Sequence, residues 1–154
     1  MGRGAVFHKS MKTRGAKAKR DKDSILADVK NLLLVLHPAI QQMPKIERID
    51  GAPQDMKAAC YNIIRHFTIA KENPEARIDH IRAMFGEFGV LLAAFDLCIQ
   101  FGLLTGSTQL KIAMQLERIE EGVRKWRNAT RSPKSQERQE VAEDPFEESA
   151  VSNN

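Results

Sequence analysis

Histidines beside carboxylates are the first residues to consider for chemistry, since a helical bundle holds a metal pair through Glu-x-x-His motifs on facing helices. None of His37, His66 and His80 has a glutamate three positions before it. Asp79 adjoins His80, but adjacent residues on a helix point about 100° apart, which favours a solvated face over a metal or acid–base pair. The sequence therefore predicts no metal site and no cofactor.

Cysteine chemistry is the second possibility. Cys60 and Cys98 lie in apolar helical stretches without the CxxC or Cys/His spacing of metal and redox sites. Arg65 and His66 follow Cys60 by five and six residues, whereas helical neighbours that touch are three or four apart. We therefore expect buried, reduced thiols and, in the absence of a phosphate loop or nucleophile elbow, a protein with no catalytic residues. A bundle enzyme is the alternative that a stoichiometric metal would support.

The strongest chemical pattern is cationic and lies in LERIEEGVRKWRNATR, residues 116–131. On a helical wheel the apolar residues of this last helix fall between about 80° and 160° from Arg118. Basic residues border that buried side on both flanks. The first row is Lys111, Arg118 and Lys125, and the second cluster is Arg124, Arg127 and Arg131. Such groups can neutralise phosphates, which gives binding without base recognition.

Ordinary helix energetics explain part of this pattern. Glu120–Arg124 and Glu121–Lys125 are i,i+4 pairs, each worth only about 0.2–0.5 kcal/mol, and cations near a helix C-terminus are favourable. Neither effect accounts for four Lys/Arg between residues 124 and 131 with no acid among them. We therefore predict a nucleic-acid-binding surface on this helix.

Charge is unevenly distributed along the 154 residues, although the formal net charge is only +4. Residues 1–22 contain eight Lys/Arg and a single acid, which predicts a disordered basic arm whose Lys17, Lys19 and Arg20 join the nucleic-acid contact. Residues 132–154 contain six acidic and two basic residues, which predicts a disordered acidic tail. The segment expected to fold is residues 23–131.

Apolar residues recur at intervals of three and four in four segments, and no segment alternates with a period of two. The pattern predicts an all-α fold, an antiparallel four-helix bundle. Pro38 is expected to bend the first helix and Pro53 to start the second. Asn73 and Pro74 should start the third helix, and the hydroxyl of Thr105 or Ser107 should cap the fourth.

The third helix is the most apolar of the four and is expected to be the most buried. Its predicted buried row is Ile78, Ile81, Phe85, Phe88, Leu92, Phe95 and Ile99. Asp96 has two open interpretations: it lies on an exposed strip, or it pairs with an arginine of another helix or subunit. The stretch Leu91–Leu104 is too short and polar to cross a bilayer, so no membrane span is predicted, and the reduced cysteines favour a cytoplasmic location.

Three short motifs follow one another along the chain: LHPAIQQMPK, then FGLLTGS, then LERIEEGVRKW. Over residues 25–130 this order resembles the accessory variability determinant proteins of diversity-generating retroelements. His37 and Pro38 match the aromatic-Pro position of that family, Lys45 its basic position, and Gly122 and Trp126 its final-helix pattern. The chain departs from the family at Leu92 and Asp96, where such proteins often carry arginines.

The resemblance implies a homo-oligomer, a ring of five bundles with a basic surface. It also implies association with a reverse transcriptase and its template RNA or cDNA, in support of mutagenic cDNA synthesis. The alternative from the residues alone is a helical protein–protein adaptor without nucleic-acid binding, whose charges are paired among themselves.

Overall fold

Four long helices and one short helix make up residues 23–131, the part of the chain that this computed structural model describes. The helices are α1 (Asp23–Gln41), α2 (Lys45–Ile49), α3 (Ala52–Glu72), α4 (Arg77–Gln100) and α5 (Gly106–Thr130). These residues contain no strand, which confirms the all-helical class. The predicted basic arm, with Lys17, Lys19 and Arg20, and the predicted acidic tail lie outside the described residues.

Helix α1 shows how the apolar spacing sets the fold. It buries a single row that steps by three and four residues: Ile25, Val29, Leu32, Leu36 and Ile40. The helix continues through Pro38 to Gln41, as the spacing beyond the proline predicts. Proline has no N–H to donate to the carbonyl four residues earlier, but Pro38 is exposed and only the last turn follows it.

The helix starts follow local backbone chemistry. Gly51 precedes α3 with φ of 115°, a conformation that favours glycine, and Pro53 lies in the first turn as predicted. Helix α5 is capped by Thr105, whose hydroxyl accepts a hydrogen bond of 3.3 Å from the Thr108 N–H. The predicted threonine cap is therefore confirmed.

Two boundaries differ from the prediction. The sequence IERIDGAP includes the short helix α2, and α4 begins at Arg77 instead of Pro74. Asn73 does not cap α4; it ends α3, where its N–H donates to the Ile69 carbonyl at 2.9 Å. Residues 74–76 form a turn.

The long helices pack as neighbouring pairs: α3 with α4, α1 with α5, α4 with α5, and α1 with α3. Lys71 Nζ is 2.9 Å from Asp23 Oδ1, so the end of α3 lies beside the start of α1. Gly122 lies against Ile25, which brings the last third of α5 to the same end of α1. The buried rows of the helices form one hydrophobic core.

Helix α4 is rotated relative to the prediction. Its buried residues are Ile81, Met84, Phe88, Leu91, Ala94 and Cys98. Leu92 and Ile99, which the sequence placed in the buried row, are 45% and 36% exposed. The prediction was wrong because nearly every side of this helix is apolar, so the spacing alone does not select the side that packs. The helix is also not the most buried one.

The apolar character of α4 has a further consequence. Among residues 23–131 it is the one helix long and apolar enough to span a membrane by length and composition, with 28% of its most apolar stretch buried. The core helix of a soluble protein meets the same criteria of length and composition. Asp96 is exposed and accepts a hydrogen bond of 2.8 Å from Gln100 Nε2, which favours the exposed-strip interpretation.

Substitution of Leu91 and its neighbour Leu92 by alanine tests the orientation of α4. Leu91→Ala, at a fully buried position, should lower the free energy of unfolding by about 2–5 kcal/mol, whereas Leu92→Ala should lower it by less than about 1 kcal/mol. Urea unfolding measures both. A larger loss of unfolding free energy for Leu92→Ala than for Leu91→Ala would contradict the observed rotation of α4.

Candidate nucleic-acid interface

Helix α5 carries the cations predicted to bind phosphate, and its apolar row places them. Ile112, Leu116, Ile119, Val123 and Trp126 are all buried, as predicted. Gly122 faces α1 and Arg127 faces α4, so the two basic rows lie on opposite sides of the packed seam. By helical spacing, Lys111, Arg118 and Lys125 border the α1 side, and Arg124, Arg127 and Arg131 border the α4 side.

Two of these cations are paired within the helix. Arg124 forms an ion pair with Glu120, and Lys125 Nζ lies 3.0 Å from Glu121 Oε1. Both i,i+4 pairs were predicted, and all four side chains remain substantially exposed. Exposed pairs of this kind contribute about 0–1 kcal/mol, so a phosphate can replace either carboxylate at little cost.

Arg127 has a packing role as well as a charge. Its guanidinium carbon is 4.7 Å from the centre of the Phe85 ring, a cation–π contact that joins α5 to α4. The Nε atoms of Arg127 and Arg131 are buried and have no hydrogen-bond partner among residues 23–131. Of the predicted site residues, Lys111, Arg124 and Lys125 are therefore the exposed ones, and Arg118, Arg127 and Arg131 are half-buried.

Arg77 adds a further cation at the end of the bundle where α5 ends, called here the cationic end; it was not among the predicted site residues. Its Nε donates to the Ala70 carbonyl at 2.9 Å, and an Nη donates to the Lys71 carbonyl at 3.4 Å. These bonds satisfy carbonyls in the last turn of α3. The guanidinium carbon also lies 5.9 Å from the centre of the Trp126 ring, which places Arg77 between α3 and α5.

A histidine pair joins α3 to α4 near the same end. The Nδ1 atoms of His66 and His80 are 3.0 Å apart, so one ring donates and the other accepts. Burial, the electrostatic interaction with His80 and the Arg65 guanidinium lower the pKa of His66, and the Glu87 carboxylate opposes this. The folded chain therefore favours a neutral His66.

Sequence reasoning missed both Arg77 and the histidine pair, although a signal existed. His66 and His80 are each seven residues from Asn73, the residue that ends α3. When a short turn joins two packed helices, residues equidistant from it along the chain face each other. A Glu-x-x-His motif lies within one helix, so its spacing cannot indicate a contact between two helices.

The cysteines behave as expected from their apolar surroundings. Cys60 and Cys98 are free and buried. Burial raises the pKa of the Cys60 thiol to about 12, and burial together with the Glu47 carboxylate raises that of Cys98 to about 11. Both are therefore protonated and unreactive at neutral pH. No group of three or more His, Cys, Asp or Glu side chains within residues 23–131 is arranged to hold a metal.

Comparison with known proteins does not assign this surface. No family model matches the chain, and no curated protein and no solved structure gives a match. The interpretation of the site therefore depends on its geometry and charge.

The lowered pKa of His66 predicts a pH dependence of stability. Between the folded-state pKa and the unfolded value of about 6.5 the unfolded chain binds more protons, so stabilisation present above pH 6.5 is lost as the pH falls through the folded-state pKa. Urea unfolding at pH 7.5 and 5.0 should show a smaller drop for His66→Gln than for the unsubstituted chain. His37→Gln, at an exposed position on α1, should keep the full drop. Equal drops in all three proteins would refute this role.

Proposed function

We propose that this protein is a non-catalytic, basic, oligomeric accessory protein that binds a retroelement reverse transcriptase and its template RNA. The observation that carries the nucleic-acid part is the run of cations at the end of α5, four Lys/Arg from Arg124 to Arg131 with no acid among them. The polymerase partner and the product, mutagenic cDNA, come from the family resemblance of the three sequence motifs.

The chemistry of this surface favours contacts with the phosphate backbone of RNA over recognition of its bases. Trp126, the one tryptophan of the chain, is buried against Phe67 and is not available to stack on a base. The exposed groups near it are charged side chains, which bind phosphate oxygens without reading sequence. Release of counterions then makes the affinity steeply dependent on salt. Such a surface suits a protein that holds a long RNA template in many registers.

We also propose that the four long helices form an antiparallel bundle. The Lys71–Asp23 ion pair supports opposite directions for α3 and α1, because it joins the end of one helix to the start of the other. The His66–His80 contact supports the same relation for α3 and α4. The contact of Gly122 with Ile25 supports opposite directions for α5 and α1.

The outer face of α4 supports self-association. Val90, Leu97 and Phe101 recur at intervals of seven and four along one side of it, and all three are exposed. Leu92 and Ile99 lie along the other side. Between these two rows, by helical spacing, are the small exposed residues Gly86, Gly89 and Ala93 and the exposed polar residues Arg82, Asp96 and Gln100. Rows of exposed apolar side chains of this kind are a feature of interaction surfaces.

The glycines of this face add a second argument. A Cβ atom at Gly86 or Gly89 would meet nothing within 4 Å, so the packing of residues 23–131 does not require glycine at either position. Each glycine in a helix interior costs about 1 kcal/mol relative to alanine. A neighbouring subunit that approaches α4 closely would explain both glycines. The ring of five subunits that we propose follows from the family resemblance.

The alternative function is a protein–protein adaptor without nucleic-acid binding. The ion pairs of Arg124 with Glu120 and of Lys125 with Glu121 favour it, because they show that part of the positive charge has partners within α5. The two functions differ in how RNA affinity responds to loss of these cations.

Neutralising Arg124 and Lys125 together should reduce the salt dependence of RNA binding. In the full chain with Arg124→Gln and Lys125→Gln, the slope of log K against log [salt] should fall by about 1.4–1.8, since each phosphate contact contributes roughly 0.7–0.9. Fluorescence anisotropy with a labelled structured RNA measures the slope. Arg127 is left unchanged because it packs on Phe85.

A matched control comes from the other end of the bundle. Lys45→Gln with Arg48→Gln removes the same charge from exposed positions of α2 and should leave the slope unchanged. If the two double variants reduced the slope equally, binding would depend on net charge and not on this surface. If the unsubstituted chain did not bind RNA, the adaptor would be favoured.

A charge on the outer face of α4 should dissociate the oligomer. Light scattering after gel filtration should give about five times the 17.4 kDa chain mass for the unsubstituted protein and a smaller assembly for Leu97→Asp. Ile46→Asp, at an exposed apolar position of α2, is the control and should keep the original mass. A monomeric unsubstituted protein at high concentration would overturn the oligomer proposal.

A further inference from the structure

A groove between α1 and α3 has an apolar floor and a cationic rim. Its volume is about 380 Å³, within the range of sites that bind a few side chains or a small molecule. The residues that line it are Lys30, Leu33, Leu34, His37, Lys57 and Tyr61. No acidic side chain is among them, and neither Lys30 nor Lys57 has an ion-pair partner within residues 23–131. The groove therefore suits a ligand that is both apolar and anionic.

Two large apolar side chains of the floor are exposed to solvent. Leu34 of α1 is 72% exposed and Tyr61 of α3 is 55% exposed, and both line the groove. Covering them would remove apolar surface from water, and pairing the two lysines would balance their charge.

The acidic segment 132–154 of this same chain has the complementary chemistry. Its one aromatic residue is Phe146, within the sequence EDPFEE. Two acids precede Pro145 and two follow Phe146, so carboxylates flank the ring on both sides. A phenyl group flanked by acids matches an apolar floor rimmed by lysines. The segment carries six acidic and two basic residues in all.

The chain length allows this contact within one molecule. Helix α5 ends at Thr130, and Gly122 of that helix contacts Ile25, so α5 ends near the start of α1. The groove residues of α1 begin five residues after Ile25, a rise of roughly 8 Å along the helix. The fifteen residues that follow Arg131, up to Phe146, can span up to about 50 Å when extended, which is ample.

We propose that the acidic segment docks in the α1–α3 groove. Phe146 packs on Leu34 and Tyr61, and the acidic side chains that flank Phe146 pair with Lys30 and Lys57. The docked segment covers the exposed floor and places negative charge beside the two lysines of the rim. The contact does not require RNA, so it goes beyond the proposed function and stands apart from the outcome for α5.

Tyr61 provides the readout because it is the one tyrosine of the chain. Full-length protein labelled with 3-fluorotyrosine gives a single ¹⁹F resonance, which reports whether the groove is occupied. Phe146→Ser should move this resonance, and a synthetic peptide of residues 138–154 added to the Phe146→Ser protein should move it back. Val151→Ser, in the same segment but away from the acidic cluster, should leave it in place. Far-UV circular dichroism of each variant checks that the helical fold is kept.

The charge contribution is tested with the lysines. Lys30→Gln and Lys57→Gln together, placed in the Phe146→Ser protein, should weaken binding of the added peptide by about 2- to 30-fold, as expected for two exposed ion pairs. The proposal is overturned if the resonances of the unsubstituted and Phe146→Ser proteins coincide. It is also overturned if a short single-stranded RNA moves the Tyr61 resonance of Phe146→Ser and the peptide does not, which would assign the groove to nucleic acid.

Discussion

The contact of Trp126 with Phe67 is the interaction on which the cationic end of the bundle depends. The two rings lie 5.4 Å apart, and the guanidinium of Arg77 covers the indole while it donates to the last carbonyls of α3. This set of contacts ties α5 to α3 and to the first residue of α4. Because it fixes the rotation of α5, it also decides that Arg127 lies over Phe85 while its neighbours Arg124 and Lys125 face solvent.

The sequence predicts the fold well where one side of a helix is clearly apolar. The buried rows of α1 and α5 agree with their three–four spacing. The threonine cap of α5 agrees with its sequence because a hydroxyl at this position accepts from a free N–H of the first turn. The spacing fails on α4, where Leu91 and Leu92 are both apolar and only contact with α3 and α5 selects Leu91. The candidate site is predicted in part: the ion pairs of α5 follow from sequence, whereas Arg77 and the histidine pair arise from contacts between helices.

The surplus of apolar surface on α4 explains why that helix was the hardest to place. A helix that packs in a four-helix bundle needs one apolar stripe about 100° wide. Val90, Leu97 and Phe101 exceed that need and remain exposed, with Gly86 and Gly89 beside them. This additional apolar surface makes the buried row of α4 hard to identify from sequence. It is also the surface on which we propose that a second subunit packs.

Charge is unevenly divided in this chain between residues 23–131 and the two flanking segments. The pairs on α5 are exposed and weak, so they hold the cations in place without removing them from competition for phosphate. Lys30 and Lys57 differ, since no carboxylate of residues 23–131 pairs with them and they sit beside exposed apolar groups. A ligand for α5 needs negative charge alone, whereas a ligand for the α1–α3 groove must also supply apolar surface. The two basic surfaces of the bundle therefore differ in chemistry, and the difference follows from whether apolar side chains lie exposed beside the cations.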